Sequence, residues 1–223
     1  MEEGGDKMSD PFIQNEQYNL IKEQVMLVKE SRMQSLPPSV LRAVIDLAQA
    51  KVMYAFPEAT TEQLKLLQFA ALQTNEAFDE YMQRLREWVQ PFPVISAEQL
   101  KELFPKQKKL RLPELSDVDF GRLTYLGWND GRSNQKLMIC QYEGQLIGIA
   151  CKPSTNTKKN ICAFCNQFTD VTYCVTITKA KQAKNPDYYK AIGTYICADS
   201  KTCNEHITSQ EALHTFVHTA LQA

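Results

Sequence analysis

Two cysteine pairs, in KKNICAFCNQF and YICADSKTCNEH, constrain this chain more than any other feature. Zinc binds thiolates in a tetrahedron with metal–sulfur distances of about 2.3 Å, and a two-residue gap lets both sulfurs of one knuckle converge without straining the backbone. Cys162 and Cys165 have that gap. Cys197 and Cys203 are farther apart than the usual pair in a zinc ribbon, but CADSKTC leads directly into the pattern of the last helix. A knuckle before a hairpin, with the remaining ligands at the start of a helix, is the treble-clef arrangement, in which the metal ties hairpin to helix. A lone CxxC carries little information, because it also occurs as a redox pair or by chance. Two pairs flanking strand patterns carry more. With thiolate at all four positions no place remains for a catalytic water, so the metal expected is one structural zinc.

Rival uses of these groups can be named. Cys162 and Cys165 could be a redox dithiol, which predicts reversible oxidation without tightly bound metal. Cys203-Asn204-Glu205-His206 could supply a three-cysteine, one-histidine set, against the plainer reading of His206 as a surface residue after the knuckle. His214 and His218 are four residues apart on one helical face, a possible metal pair, but no third ligand stands near them and they read as exposed. Cys140, Cys151 and Cys174 fall in strand patterns as small buried apolar residues. No activating base for a nucleophilic cysteine is evident, and no enzymatic role is expected. Seven cysteines, an odd number, suit a reducing compartment better than a secreted disulfide scaffold. The N-terminal MEEGGDKMSD lacks the features of a signal peptide, and no apolar run approaches the roughly 18 residues of a membrane span, so a cytoplasmic protein is expected.

The punctuation VQPFPVISAEQ divides the chain into residues 1–91 and 92–223. The first part reads as helices throughout. Tyr18, Ile21, Val25 and Val28 share one face, Pro37-Pro38 force a stop and a new start, and Leu41, Val44 and Ala48 continue the period. Thr60 and Gln63 form a capping box before Leu64, Leu67 and Ala71, and Phe78, Met82, Leu85 and Val89 mark a fourth helix. Four amphipathic helices with short connections imply an antiparallel bundle. Ser96 and Gln99 open a short fifth helix. After Pro105 the texture changes to strands (KKLRLP, RLTYLGW, KLMICQYEGQLIGIAC, DVTYCVTITK), with Glu143-Gly144 as a hairpin turn. Trp128, Asn129 and Asn134 suggest a structural corner, with Trp128 buried and the Asn side chains closing turns. Thr208 to Glu211 reads as the capping box of a last helix whose Leu213, Phe216, Val217 and Leu221 face inward. The expected fold class is α+β: a four-helix bundle followed by an α/β domain with a four-cysteine treble clef.

Four separated stretches, PFPVISAEQLKELFPKQKKLRLP, YLGWNDGRSNQK, CAFCNQFTDV and YICADSKTCN, resemble in sequence and order the FusB-type proteins, the elongation factor G-binding proteins associated with fusidic acid resistance. The resemblance runs from about Tyr18 to the last helix. It implies an N-terminal helical bundle and a zinc-finger domain with Cys162, Cys165, Cys197 and Cys203 as ligands; a monomer is expected. It also implies binding of elongation factor G, with its release when the drug has locked it on the ribosome, so that the ribosome is reached only through the factor. The family finger has no need of histidine at His206. A drug-resistance role and a housekeeping role in translation would use the same surface.

Charge patterning fits an oriented partner. Residues 1–91 carry 9 basic against 14 acidic side chains, and the remainder 16 against 12. Between Lys152 and Lys190 stand seven lysines and two aspartates. An acidic partner surface would be attracted at long range, and aromatics beside lysines are common interface anchors. The contact candidates are Lys179, Lys181, Lys184, Lys190 and Tyr195. The alternative is a zinc-finger module binding RNA or the ribosome, for which the same lysines would grip phosphates. A sequence pI of about 6.3 and the absence of Arg between Lys152 and Lys190 weigh against it.

Overall fold

A computed structural model of the chain describes residues 10–107, 110, 113–178 and 190–222. The chain forms two compact units, Met1–Gln90 and Pro91–Ala223.

The first unit contains α1 (Asn15–Met33), α2 (Pro38–Tyr54), α3 (Thr61–Leu66) and α4 (Asn75–Arg86). Pro38 occupies the first turn of α2, where its missing N–H costs nothing. Thr60 caps α3 by accepting from the Gln63 amide while the Gln63 side chain accepts from Thr60 N–H. The apolar stripes meet in one core that includes Tyr18, Ile21, Val25, Val28, Ala48, Val52, Phe78, Tyr81 and Leu85. One expectation fails in detail: α3 ends at Leu66, so Ala71 is not on it. Gln49 accounts for the stop. Its Oε1 accepts from Phe69 and Ala70 N–H, and its Nε2 donates to Leu67 O, so a side chain of α2 serves the backbone where α3 has ended. A parallel bridge between Ile13 and Val89 fastens the two ends of the unit together.

The second unit opens with α5 (Ala97–Leu103), capped by the Ser96 and Gln99 pair, and two 3₁₀ turns at Leu115–Asp117 and Phe120–Arg122. Six antiparallel strands follow: β1 (Tyr125–Asp130), β2 (Gln135–Tyr142), β3 (Gln145–Pro153), β4 (Lys158–Ile161), β5 (Phe168–Ile177) and β6 (Ala191–Cys197). β5 is the hub. One edge pairs with β4 near its start and with β3 toward its end, and the other pairs with β6. Glu143 and Gly144 both take positive φ, 49° and 74°, and make the two-residue turn between β2 and β3. Asn134, at φ 50°, closes the turn before β2. Trp128 departs from expectation: it lies within β1, half-buried and edge-on to Phe104 at 5.7 Å, and forms no corner. KKLRLP forms no described strand, and Lys108, Lys109, Arg111 and Leu112 lie outside the described residues.

Alternation along β2 builds two cores. Leu137 and Ile139 join Phe92, Leu100 and Phe104 on one face of the sheet. Met138 and Cys140 face the other core, with Tyr125, Ile149, Cys151 and the four cysteines of the two pairs. That second core is covered by α6 (Ser200–His206) and α7 (Glu211–Leu221). Gly127 sits where α6 crosses β1: an added Cβ would stand 2.5 Å from Ser200 Oγ. α7 buries Leu213, Phe216, Val217 and Ala220, but its cap differs from the expected box: Glu211 N–H donates to Ser209 Oγ, and Thr208 takes no part in that bond. Among the described residues no helix is long and apolar enough to cross a membrane.

Candidate metal centre

Cys162 and Cys165 lie in the tight loop between β4 and β5. Its shape comes from Cys162 N–H donating to Gln167 O at 2.9 Å, Asn166 N–H donating to Cys162 O at 2.9 Å, and Asn166 at φ 56°, a conformation asparagine tolerates better than most residues. Ala163 N–H donates to Tyr195 O at 2.8 Å and sets this knuckle against β6. Cys197 ends β6. Asp199 then caps α6, its carboxylate accepting from Lys201 and Thr202 N–H, and the first turn of that helix carries Cys203 inward. The second knuckle therefore leads into a short helix of its own, with α7 following it, and not directly into the last helix.

All four sulfurs are buried and lie within 4.8 Å of one another. Cys162 Sγ is 3.8 Å from Cys203 Sγ, and Cys165 Sγ is 3.5 Å from Cys197 Sγ. A zinc tetrahedron with bonds of about 2.3 Å has sulfur–sulfur edges of about 3.8 Å, so the cluster has the dimensions of the expected site. Cys197 N–H donates to Cys162 Sγ at 3.3 Å, the kind of bond that satisfies a metal-bound thiolate. Hydrogen bonding by Cys165, Cys197 and Cys203 holds the Cys162 thiol far below its ordinary range, while Cys162 foremost, then Cys165 and Cys197, push the Cys203 thiol up. A divalent cation at the centre removes the conflict among four thiolates and accounts for the set as one structural zinc site.

The residues outside the tetrahedron sort clearly. His206 is exposed, and its Nδ1 bonds to Thr202 O at 2.8 Å, back onto its own helix. His214 Nε2 bonds to Gln141 O, and His218 Nδ1 bonds to the Tyr142 hydroxyl at 2.8 Å, so the two histidines dock α7 onto the β2–β3 hairpin. Cys140, Cys151 and Cys174 are buried, and burial pushes the Cys140 thiol up to about 12. Of the contact candidates, Lys179, Lys181 and Lys184 lie outside the described residues. Lys190 is exposed, and Tyr195 is half-buried on the sheet with its ring centroid 4.9 Å from that of Tyr173 and 4.0 Å from Lys158 Nζ.

Sequence reading missed Asn204, the residue that places α6. Its side chain is buried; Oδ1 accepts from Thr124 N–H at 2.7 Å and Tyr125 N–H at 3.1 Å, and Nδ2 donates to Tyr125 O at 2.9 Å and Ser200 O at 3.0 Å. One amide thus ties the ligand-bearing helix to the start of β1. The available signal was weak: a polar residue beside a ligand cysteine, on a segment too short to show a helical period.

Comparison with known proteins agrees with this geometry. The family model described as FBP C-terminal treble-clef zinc-finger matches residues 104–221, and the model described as elongation factor G-binding protein, N-terminal, matches residues 12–93. A solved structure of the fusidic acid resistance protein FusC is similar at a TM-score of 0.76 and 27% identity, covering 97% of this chain and 100% of that one. No curated protein matches the chain. With a treble-clef family model covering the second unit and an elongation factor G-binding family model covering the first, in the order that the fold joins them, the chain belongs to the FusB-type elongation factor G-binding protein family.

Proposed function

We propose that this protein binds elongation factor G through its zinc-bearing unit and promotes release of the factor from ribosomes on which fusidic acid has locked it. The observation that carries the reading is the pair of family models spanning both units, together with the likeness to a fusidic acid resistance protein over almost the whole chain. In this reading Cys162, Cys165, Cys197 and Cys203 hold the zinc. The metal then fixes the knuckle to β6 and α6, and so fixes the sheet surface carrying Lys158, Tyr173, Tyr195 and Lys190.

The chemistry of that surface suits an acidic partner. Lys158 stands over the Tyr195 ring and donates to its hydroxyl at 2.8 Å, so an aromatic platform is held rigid beside exposed cations. Rigid aromatics lose little conformational entropy on binding, and the lysines speed the encounter. Release needs no bond to be made or broken. A protein that prefers the conformation of the factor found off the ribosome shifts the stalled population toward it, by no more than its differential affinity for the two states.

Calorimetric titration of zinc-loaded protein into purified elongation factor G at two salt concentrations, with bound metal quantified, tests the first step. Stoichiometric binding that weakens with salt, and that Tyr195→Ala reduces by about tenfold or more, is the expected result. The second step is read as the amount of factor left on fusidic acid-stalled ribosomes after addition of the protein. Full zinc occupancy with no binding to the factor, and salt-sensitive binding to RNA instead, would sink the proposal in favour of an RNA-binding module.

A further inference from the structure

Two polar groups are buried beside the cysteine cluster without the partners that burial demands. Lys136 is completely buried on β2. Its ammonium donates to Ala198 O at 3.0 Å, the carbonyl directly after Cys197, and among the described residues no carboxylate lies within ion-pair distance of it. Asp199, the acid directly after Ala198, spends its oxygens on capping α6. Burial pushes the Lys136 amine below its ordinary range, and an unpaired buried ammonium costs several kcal/mol, so a neighbouring negative charge is what would keep it protonated.

Tyr125 is also completely buried, and its hydroxyl has no hydrogen-bond partner. The hydroxyl of Ser200, on the first turn of α6, is in the same condition. Burial foremost pushes the Tyr125 hydroxyl and the Lys136 amine away from their charged forms; after burial, the groups that bear on the hydroxyl are Cys203, Ser200 and Cys162, and those that bear on the amine are Cys174, Cys203, Asp199 and Cys197. Asn204 holds both the Tyr125 backbone and the helix bearing Cys203, so the ring and the sulfur are fixed to one another through a single side chain. A zinc ion bound by four thiolates leaves the site doubly negative, rich in acceptors and sunk in an apolar core. Its needs are what Lys136 and Tyr125 have left over: a positive charge and an O–H donor.

We propose that Tyr125 and Lys136 form an inner layer around the zinc tetrathiolate, with the Tyr125 hydroxyl donating to the Cys203 sulfur and the Lys136 ammonium offsetting the excess negative charge. Together they hold the metal and slow the reactions of its thiolates. This rests on the four-cysteine reading of the site. A thiolate that accepts a hydrogen bond near a cation is a weaker nucleophile and a poorer electron donor, so the pair makes the site inert as well as tight. Both residues are positioning residues. Neither is a ligand.

The test uses the full chain in zinc-loaded and cobalt-substituted form. Tyr125→Phe keeps the ring and removes only the donor; it is expected to speed zinc release to a chromogenic chelator about tenfold and to move the sulfur-to-cobalt charge-transfer band to longer wavelength. Lys136→Gln is expected to speed iodoacetamide alkylation of the loaded protein, and Lys136→Arg to restore the slow rate. Tyr81→Phe, which alters another buried unpartnered phenol in the helical unit, serves as the control and leaves all three readouts unchanged. A packing defect alone would not shift the cobalt band, and if Lys136→Gln does not fold, Tyr125→Phe and Lys136→Arg still decide. Stoichiometric cobalt uptake with unshifted bands and release rates within about twofold of the parent overturns the inference alone. Failure of the parent to take up cobalt overturns the four-cysteine reading with it.

Discussion

The helical unit and the zinc-bearing unit solve the same problem by opposite means. In Met1–Gln90 the ordering information is local: caps at Thr60 and Thr74, a proline at the start of α2, and apolar residues at helical spacing that merge into one core. In Pro91–Ala223 the decisive contacts join residues far apart in the chain. Cys162 meets Cys203, Lys136 meets Ala198, and Asn204 meets Thr124 and Tyr125. Short strands such as β4 and a seven-residue helix such as α6 have little stability of their own, so a ligand shared among them contributes what local propensity cannot.

That contrast can be broken most severely at the metal. Structural zinc sites contribute about 10–16 kcal/mol in small fingers, so Cys203→Ser, or chelation of the wild type, is expected to unfold the second unit while the helical signal of the first persists. Circular dichroism with hydrogen exchange read per segment checks this, and loss of protection across both units together would show that the two are not separable. In the helical unit the corresponding blow is Phe78→Ala, which empties a fully buried ring position and is expected to cost about 3–5 kcal/mol. Zinc content should stay at one per chain, and a metal-depleted variant would contradict the independence of the cores.

Smaller changes sharpen the comparison. Asn204→Ala leaves the Thr124 and Tyr125 amides without the acceptor they share and is expected to destabilise the second unit by about 2–3 kcal/mol, seen as an earlier urea transition of that unit with the first unmoved. Thr60→Ala removes a cap on the surface of the helical unit and is expected to cost about 1 kcal/mol, with no effect on metal release. A larger effect for Thr60→Ala than for Asn204→Ala would reverse the assignment of local order to one unit and long-range order to the other.

The sequence was legible in proportion to how local its signals are. The α5 capping box, Pro38, the Glu143-Gly144 turn and the inward faces of α1, α4 and α7 were readable because each depends on residues within about one or two helical turns or a single hairpin. Reading erred where a neighbour distant in the chain overrides local preference. Ala71 continues an apolar period, but Gln49 from another helix takes over the backbone there. Thr208 fits a cap consensus, but Ser209 supplies the acceptor. β4, β6 and α6 were missed: β4 and α6 are too short to show a period, and Gly193 interrupts the apolar alternation of β6.

By itself the sequence determined the two-part organisation of apolar stripes followed by alternating strands, and the four thiols whose spacing suits one tetrahedral zinc. Cysteine spacing is a chemical constraint that survives without coordinates, because a two-residue gap converges on a metal wherever the loop is placed. Only the tertiary structure decided which other groups surround the thiols. The burial of Lys136, the unpartnered hydroxyl of Tyr125 and the fourfold bonding of Asn204 arise from strand register and from the approach of α6 over Gly127. Register is set by the summed packing of both faces of the sheet, and no short window of residues contains that sum.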